Sequence, residues 1–518
     1  MKSEIVTDRA RGARKDLFNA AVLGVFGAIS LWVLALDLWQ VIAHGRHWTG
    51  TDGVYLVDQL QYLAWIREAA RHVLISNLFV LRSTPADYFQ PAIVLSGGLS
   101  ALGVAPWLSL LVWKPVAVAA CFYAVRQYVA RSLTDRSERR AALVLALFFG
   151  SFTIVYGSVG TIGDLFLGFL SWGYPFALLA LALILGALLC YDRARSRGRF
   201  GLLPGALGAA ATLLHPWNGE LLIAVVLASE AAMRLGRSGP RRRLALAAVT
   251  VLITAAPLVY YALLGRLDSS WQLARVASKH SFPLWSILLA VFPLLVPAVA
   301  AYRKRPQTFL SAATRTWPFA AAAIYALSAS ELGATPLHTF QGITIPLAVL
   351  AVEGLDHLGW RRLPQHRWLA LAAIAAFTIP ATVDQLLEAR ELASPQPGSA
   401  RFIDADERRA LDYLAHDPDP GGVISRSYLG ALVPGATGRH TFVGDCVWSE
   451  PDCDRRLVAV RRLFTESLAP RTARAFVLRT RARFVLADCR PNTDLARRLG
   501  PIIEAMHTFG CARVYKVQ

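Results

Sequence analysis

Apolar runs of roughly 17 to 25 residues recur between residues 17 and 384, and each is long enough to cross a hydrocarbon core about 30 Å thick as a helix. No other feature limits the fold as much. A bilayer core offers no water to backbone N–H and C=O groups, so runs like these must satisfy them internally, as helices. Only 17% of the 518 residues are charged, against about a quarter in soluble domains, and the missing charge is missing in blocks. The first run, Leu17 to Leu38, is too long for a secretory signal and lacks its small-residue cleavage site. It reads as an uncleaved first span.

The formal net charge is +19, which invites a nucleic-acid reading. Its distribution argues against that partner, because much of the excess lies in short clusters between apolar runs. Basic residues gather at the N-terminus (Arg9 to Lys15), at 126–140, 193–199, 234–243 and 303–305, and at Arg361, Arg362 and Arg367. Alternate connections near 158–168, 215–219 and 331–338 contain no Lys or Arg. By the positive-inside rule the clusters are cytoplasmic and the bare connections outside. The simplest threading has about eleven spans, near 17–42, 105–129, 139–157, 168–191, 200–215, 219–235, 243–265, 283–302, 315–331, 339–357 and 367–384. It describes an α-helical polytopic protein of the cell (inner) membrane, with its N-terminus cytoplasmic and its C-terminus outside. Two features strain it. The loop at 266–282 is assigned outside yet holds Arg266, Arg275 and Lys279, and Pro91 to Val104 is apolar but short. The latter reads as a half-helix, since a further span there would invert the charge alternation.

These divisions make residues 1–390 a transmembrane domain with a first outer loop at 43–90, and 391–400 a Pro- and Gly-bearing linker. Residues 401–518 read as an extracytoplasmic α/β domain, with helices at Asp404–His416 and Asp454–Phe464 and strands at Gly422–Ser425, Ala482–Ala487 and Arg513–Val517. Four of the six cysteines, Cys446, Cys453, Cys489 and Cys511, lie in this last part. An even number outside suits two disulfides, for example Cys446–Cys453 with Cys489–Cys511, although four cysteines allow three pairings and free thiols stay open. A zinc site is the rival, disfavoured by the lack of a CxxC pair.

Charged groups beside a bilayer are costly, so those retained there default to functional candidates. In the first outer loop Asp58, Tyr62, Trp65 and Ala69 recur at helical spacing, as in a helix lying along a membrane surface, with Asp52 a candidate cap at its start. The plain alternative for Asp58 is a first-turn carboxylate complementing the helix dipole. Asp164 stands between two apolar runs. His215 and Glu220 flank the break that Pro216 imposes, and Glu331 and His338 precede the run entered through Pro346. A lone His is more often a hydrogen-bonded structural residue than a ligand. Together these carboxylates and histidines could serve as a general base or hold a divalent metal, Mg or Mn, with Asp164 and His215 as its ligands.

The stretch Asp58-Gln-Leu-Gln-Tyr-Leu-Ala-Trp-Ile-Arg-Glu-Ala69 resembles the first outer loop of the GT-C glycosyltransferase superfamily, which includes protein O-mannosyltransferases and lipid A aminoarabinose transferases. Gln59 stands where that pattern usually has Glu. Asn77-Leu-Phe79, Phe89-Gln-Pro91, Leu337 to Pro346 and the run Thr437 to Asp445 with Trp448, Glu450 and Arg455 follow the family order, with Asp445 where His is common. The resemblance implies an inverting hexosyl or pentosyl transferase acting on a polyprenyl-phosphate-linked sugar, among membrane lipids, with an extracytoplasmic lipid, glycan or protein as acceptor. It carries Asp58 over as the general base, with Asp52 as the fallback. Tyr62, Arg67, Arg71, Arg82, Glu331 and His338 are expected at donor or acceptor. A transporter or lipid flippase, or a non-catalytic scaffold with an outer binding domain, is the alternative. A transporter should show inverted repeats and broken spans facing one another across the midplane; no repeat of that kind, and no charged residue deep within a span, is evident in the sequence.

Overall fold

The computed structural model describes residues 17–152, 163–234, 241–277, 282–328, 336–357, 364–465 and 468–518. Glu331 and the basic cluster at Arg361 and Arg362 lie outside these residues, as does the Asp164 side chain. The chain forms two compact units. One comprises residues 1–33, 113–260 and 280–390, and the other residues 34–112, 261–279 and 391–518.

The first unit is helical. Pro175–Ser196 is 22 residues long, about 33 Å at 1.5 Å per residue, and opens on proline where the missing N–H costs nothing. It packs against Trp113–Ser132 and Leu203–Leu214, while Thr344–His357 packs on Phe292–Ala301. The last pair approaches closely: a Cβ at Gly354 would fall 1.8 Å from the Pro297 carbonyl oxygen. Four described helices are long and apolar enough to cross a membrane, and two bent pairs raise that to six. The apolar helices make this a multi-pass membrane protein. Shorter apolar helices, such as Leu203–Leu214, accompany them, and two of the apolar runs are bent. Leu17–Ser30 meets Trp32–His44 at 52°, and Leu284–Ala290 meets Phe292–Ala301 at 85°.

The first break corrects the view that no charge lies deep in a span. Lys114, 3% exposed, donates from Nζ to the Ser30 carbonyl at 2.6 Å and the Trp172 carbonyl at 3.3 Å. Trp172 Nε1 donates to the Ile29 carbonyl at 2.7 Å. A kink leaves carbonyls without their i+4 donors, and these two side chains supply substitutes. Farther along, Arg195 pairs with Glu230 at 2.6 Å and Arg315 with Glu353 at 2.5 Å.

The second unit gathers three distant segments. Helix Leu56–Ala69 packs against helices Pro91–Ala101 and Ser427–Thr437. Gly97 allows the first of these contacts, since a Cβ there would lie 2.6 Å from Ala69. At 11 residues, Pro91–Ala101 covers about 16 Å, too little for a full span. A ladder of His47–Trp48 with Phe402–Ile403 joins the first segment to the last. Beside it Arg401 grips Asp37 through Nη1, at 2.8 and 3.1 Å, and donates to the Gly53 carbonyl, with both side chains essentially inaccessible. Beyond residue 403 a four-stranded mixed sheet sets Val423–Ile424 parallel to Phe484–Ala487, followed by Ala512–Val517 and Ile503–Phe509 antiparallel. Helix Ala405–His416 begins at Asp404, whose N–H donates to Glu407 Oε2 at 3.1 Å. Disulfides Cys446–Cys453 and Cys489–Cys511 close two loops here.

Candidate functional site

Helix Leu56–Ala69 presents Asp58 in its first turn, half-buried, with Tyr62 and Trp65 following on the same face. The cap is Tyr55, without a side-chain hydrogen bond, so Asp52 does not cap the helix as expected. Asp52 is instead buried, 7% exposed, in the turn beside the Arg401–Asp37 pair.

Trp65 anchors an aromatic cluster drawn from four segments. Its ring lies 4.7 Å from Tyr88, 5.4 Å from Trp448 and 5.8 Å from Trp271, with Tyr88–Trp271 at 4.2 Å and Trp271–Trp448 at 4.7 Å. Each segment also brings a carboxylate: Asp58 on the helix, Asp87 before Tyr88, Asp268 one turn before Trp271, and Asp445 three residues before Trp448. Short-range contacts position two of them. Asp268 accepts from the Ser270 N–H at 2.7 Å, starting helix Ser269–Ala277. Asp445 Oδ1 accepts from the Val447 N–H at 2.9 Å, and the adjacent Cys446 is stapled to Cys453. Asn77 Nδ2 donates to the Trp448 carbonyl at 2.9 Å and Ser449 Oγ to the Phe79 carbonyl at 3.0 Å, tying the first loop to this turn. The cluster therefore joins segments that lie far apart in the chain.

The carboxylates perturb one another. Burial, then the nearby charge of Asp58, push Asp445 up to about 7 against the opposing Val447 N–H. Burial and the Asp58 charge likewise raise the Tyr62 phenol, and burial followed by Asp268 raises Asp87. Asp445 is 5% exposed, and its Oδ2, like Trp448 Nε1, has no hydrogen-bond partner among the described residues. An unpaired acceptor and an unpaired donor beside stacked rings suit a polyhydroxylated ligand, since rings cover its C–H faces while the polar atoms meet its hydroxyls.

The other candidates divide. Arg82 joins this cluster, donating from Nη2 to Ser269 Oγ at 3.3 Å, and its charge reaches Arg456. Arg67 and Arg71 point elsewhere, converging where a Gly438 Cβ would lie 3.2 Å from Arg67 Nε and 3.0 Å from Arg71 Nη2. His215 and His338 belong to the first unit, their rings 5.0 Å apart, with His215 at the break between Leu203–Leu214 and Pro216–Arg234. Asp164 lies in the short turn Gly163–Leu165. A nitrogen pair suits zinc or copper better than the Mg or Mn expected from the sequence, because those hard cations take oxygen ligands. The described donor groups that converge closely enough for an ion, Asp406 with Cys489 and Cys511 and Asp404 with Glu407 and Cys489, include none of these candidates, and the disulfide removes both thiolates. Asp87, Asp268, Trp271 and Asp445 stand in or beside this cluster and were not among the site candidates read from the sequence. The one available signal was Asp445 in the family's usual His position.

No protein-family model matches the chain, and no curated protein sequence does. Solved structures do. The oligosaccharyltransferase of Archaeoglobus fulgidus superposes with a TM-score of 0.54 at 14% identity, over 96% of this chain and 74% of that one. ArnT from Cupriavidus metallidurans gives 0.52 at 13% identity, over 98% of each chain. The fold is that of the GT-C glycosyltransferases. The arabinofuranosyltransferase AftD from Mycobacteria agrees, at 0.54 and 15% identity over 96% of this chain, which spans 40% of AftD's length. In this GT-C fold the first-loop helix, the 261–279 segment and the C-terminal residues belong to one unit.

Proposed function

We propose that the protein is an inverting membrane glycosyltransferase that moves a sugar from a polyprenyl-phosphate donor to an extracytoplasmic hydroxyl acceptor, with its N-terminus in the cytoplasm and residues 401–518 outside. The observation carrying the proposal is the set of carboxylates around the Trp65 aromatic cluster, with Asp445 and Trp448 keeping buried polar atoms unpaired. The A. fulgidus oligosaccharyltransferase has been solved with an inhibitory peptide and a dolichol-phosphate, which supports the donor class assigned here.

In this reading Asp58 accepts the proton of the acceptor hydroxyl as its oxygen attacks the anomeric carbon. The carbon–oxygen bond to phosphate breaks from the opposite side, and polyprenyl phosphate leaves with the bonding pair. Asp445, raised by burial to about 7, keeps a proton to donate as a hydrogen bond and so holds the acceptor or the sugar. Arg82 and Arg456 supply positive charge for the departing phosphate. Rings of Trp65, Trp271 and Trp448 exclude water and stack on the sugar. Tyr62, raised by burial, stays a neutral hydrogen-bond donor.

The test is the release of polyprenyl phosphate from a panel of synthetic polyprenyl-phosphate sugars by the purified protein in liposomes. Asp58→Asn should abolish release while leaving thermal unfolding intact. Turnover by Asp58→Asn at the wild-type rate would reject the assignment.

A further inference from the structure

The opposite side of the Leu56–Ala69 helix carries a second feature that the reaction above leaves unused. A cavity of about 620 Å³ lies against Leu60, Leu63 and Arg67. At 100° per residue those three positions lie about 180° from Asp58, Tyr62 and Trp65. A helix about 10 Å thick therefore stands between the cavity and the carboxylates, so a group bound in the cavity cannot reach Asp58.

Its lining is amphiphilic. Leu38, Leu111, Trp107 and Leu432 form apolar walls, whereas Arg46, Arg67 and Arg408 bring positive charge against a single acid, Asp412. Asp412 is already engaged by Arg408 at 3.3 Å, leaving Arg46 and Arg67 in excess. Arg67 Nε is buried without a hydrogen-bond partner among the described residues. Burial and the neighbouring Arg71 both disfavour its charge. A cation kept there without an anion is costly, and an anionic ligand removes the cost. Leu38 and Trp107 are each about two-fifths exposed, and Ile42 and Leu102 nearby in sequence are more than four-fifths exposed, so the apolar wall continues onto an apolar surface.

We propose that this cavity binds a lipid phosphate, with the anionic head at Arg46, Arg67 and Arg408 and an apolar chain running out past Leu38, Trp107 and Leu111. Free phosphate would use only the basic end, and a zwitterionic lipid would bring a cation to three arginines. The ligand is a second lipid, distinct from a donor at Asp58. The proposal does not depend on the glycosyltransferase reading.

Native mass spectrometry of the full-length protein in detergent would test it, with phosphatidylglycerol, decaprenyl phosphate and phosphatidylcholine titrated separately. Either anionic lipid should be retained at least about tenfold more tightly than phosphatidylcholine. The pair Arg46→Gln and Arg408→Gln should erase that preference. Ala436→Phe, at an exposed lining position, should block the cavity without altering charge. Comparison of the two anionic lipids identifies the source of the phosphate. Equal retention of phosphatidylcholine, unchanged binding in both variants, or displacement of the lipid by millimolar inorganic phosphate would overturn the proposal. Asp58→Asn should bind lipid as wild type does, so loss of turnover leaves this inference standing.

Discussion

Replacing Asp445 by Asn probes the carboxylate pair through stability rather than turnover. Burial and the Asp58 charge carry Asp445 from an ordinary 3.8 to about 7. Each pH unit of difference is worth about 1.4 kcal/mol, so ionising Asp445 in the folded protein costs roughly 4 kcal/mol as a ceiling. The sign follows from linkage. A carboxyl whose folded value is raised contributes stability that is fully present below about pH 4 and is lost progressively as pH climbs toward about 7. Asn keeps the acceptor for the Val447 N–H and has no proton to lose. Thermal unfolding in detergent from about pH 4 to pH 8 should therefore show wild type falling relative to Asp445→Asn, with the gap opening across that window. Parallel curves would refute the reasoning, because they would mean that Asp445 is not held protonated by its surroundings. A second arm separates burial from pairing. Asp58→Asn removes the smaller upward push, so the wild-type fall should move to lower pH and shrink. If it stays in place, the two carboxylates are not coupled.

Three further outcomes follow from the packing. Lys114→Met leaves the Ser30 and Trp172 carbonyls without their donor inside a helical core, and should lower stability by about 1–3 kcal/mol, read as a lower unfolding midpoint. Arg401→Met strands the buried Asp37 carboxylate and should cost about 3–5 kcal/mol, whereas Asp37→Asn combined with Arg401→Met should recover much of that; calorimetry of the single and double variants checks the difference. Removing the Cys446–Cys453 bridge by paired alanine substitution should cost about 2–3 kcal/mol from its short loop and reduce turnover more than stability explains, because Asp445 sits directly beside the staple.

Hydrophobic runs were readable because length alone decides whether a helix can cross a bilayer. Breaks within the runs were not, since the kinks at Leu31 and Val291 depend on partners such as Lys114 and Trp172 that lie far along the chain. Helix Leu56–Ala69 was legible from its spacing, as was helix Ala405–His416 from its amphipathic pattern. Helices Ser427–Thr437 and Pro470–Thr480 and strand Ile503–Phe509 were not, because each is defined by what it packs on. The last strand alternates half-buried and exposed residues, yet His507 on the half-buried face and Met506 on the exposed one blur the pattern that would have marked it.

The loop at 266–282 shows why the site itself was harder to see than the fold. Counted as charge, Arg266, Arg275 and Lys279 oppose the positive-inside pattern and look like an error in threading. Placed in the second unit, the same segment supplies Asp268 and Trp271 to a cluster whose other members come from residues 58–65, 87–88 and 445–448. Each contribution is one acid and one ring, a pairing too common in sequence to stand out singly. Their convergence is what perturbs them: burial among the rings lowers the local dielectric and raises Asp445 toward its protonated form.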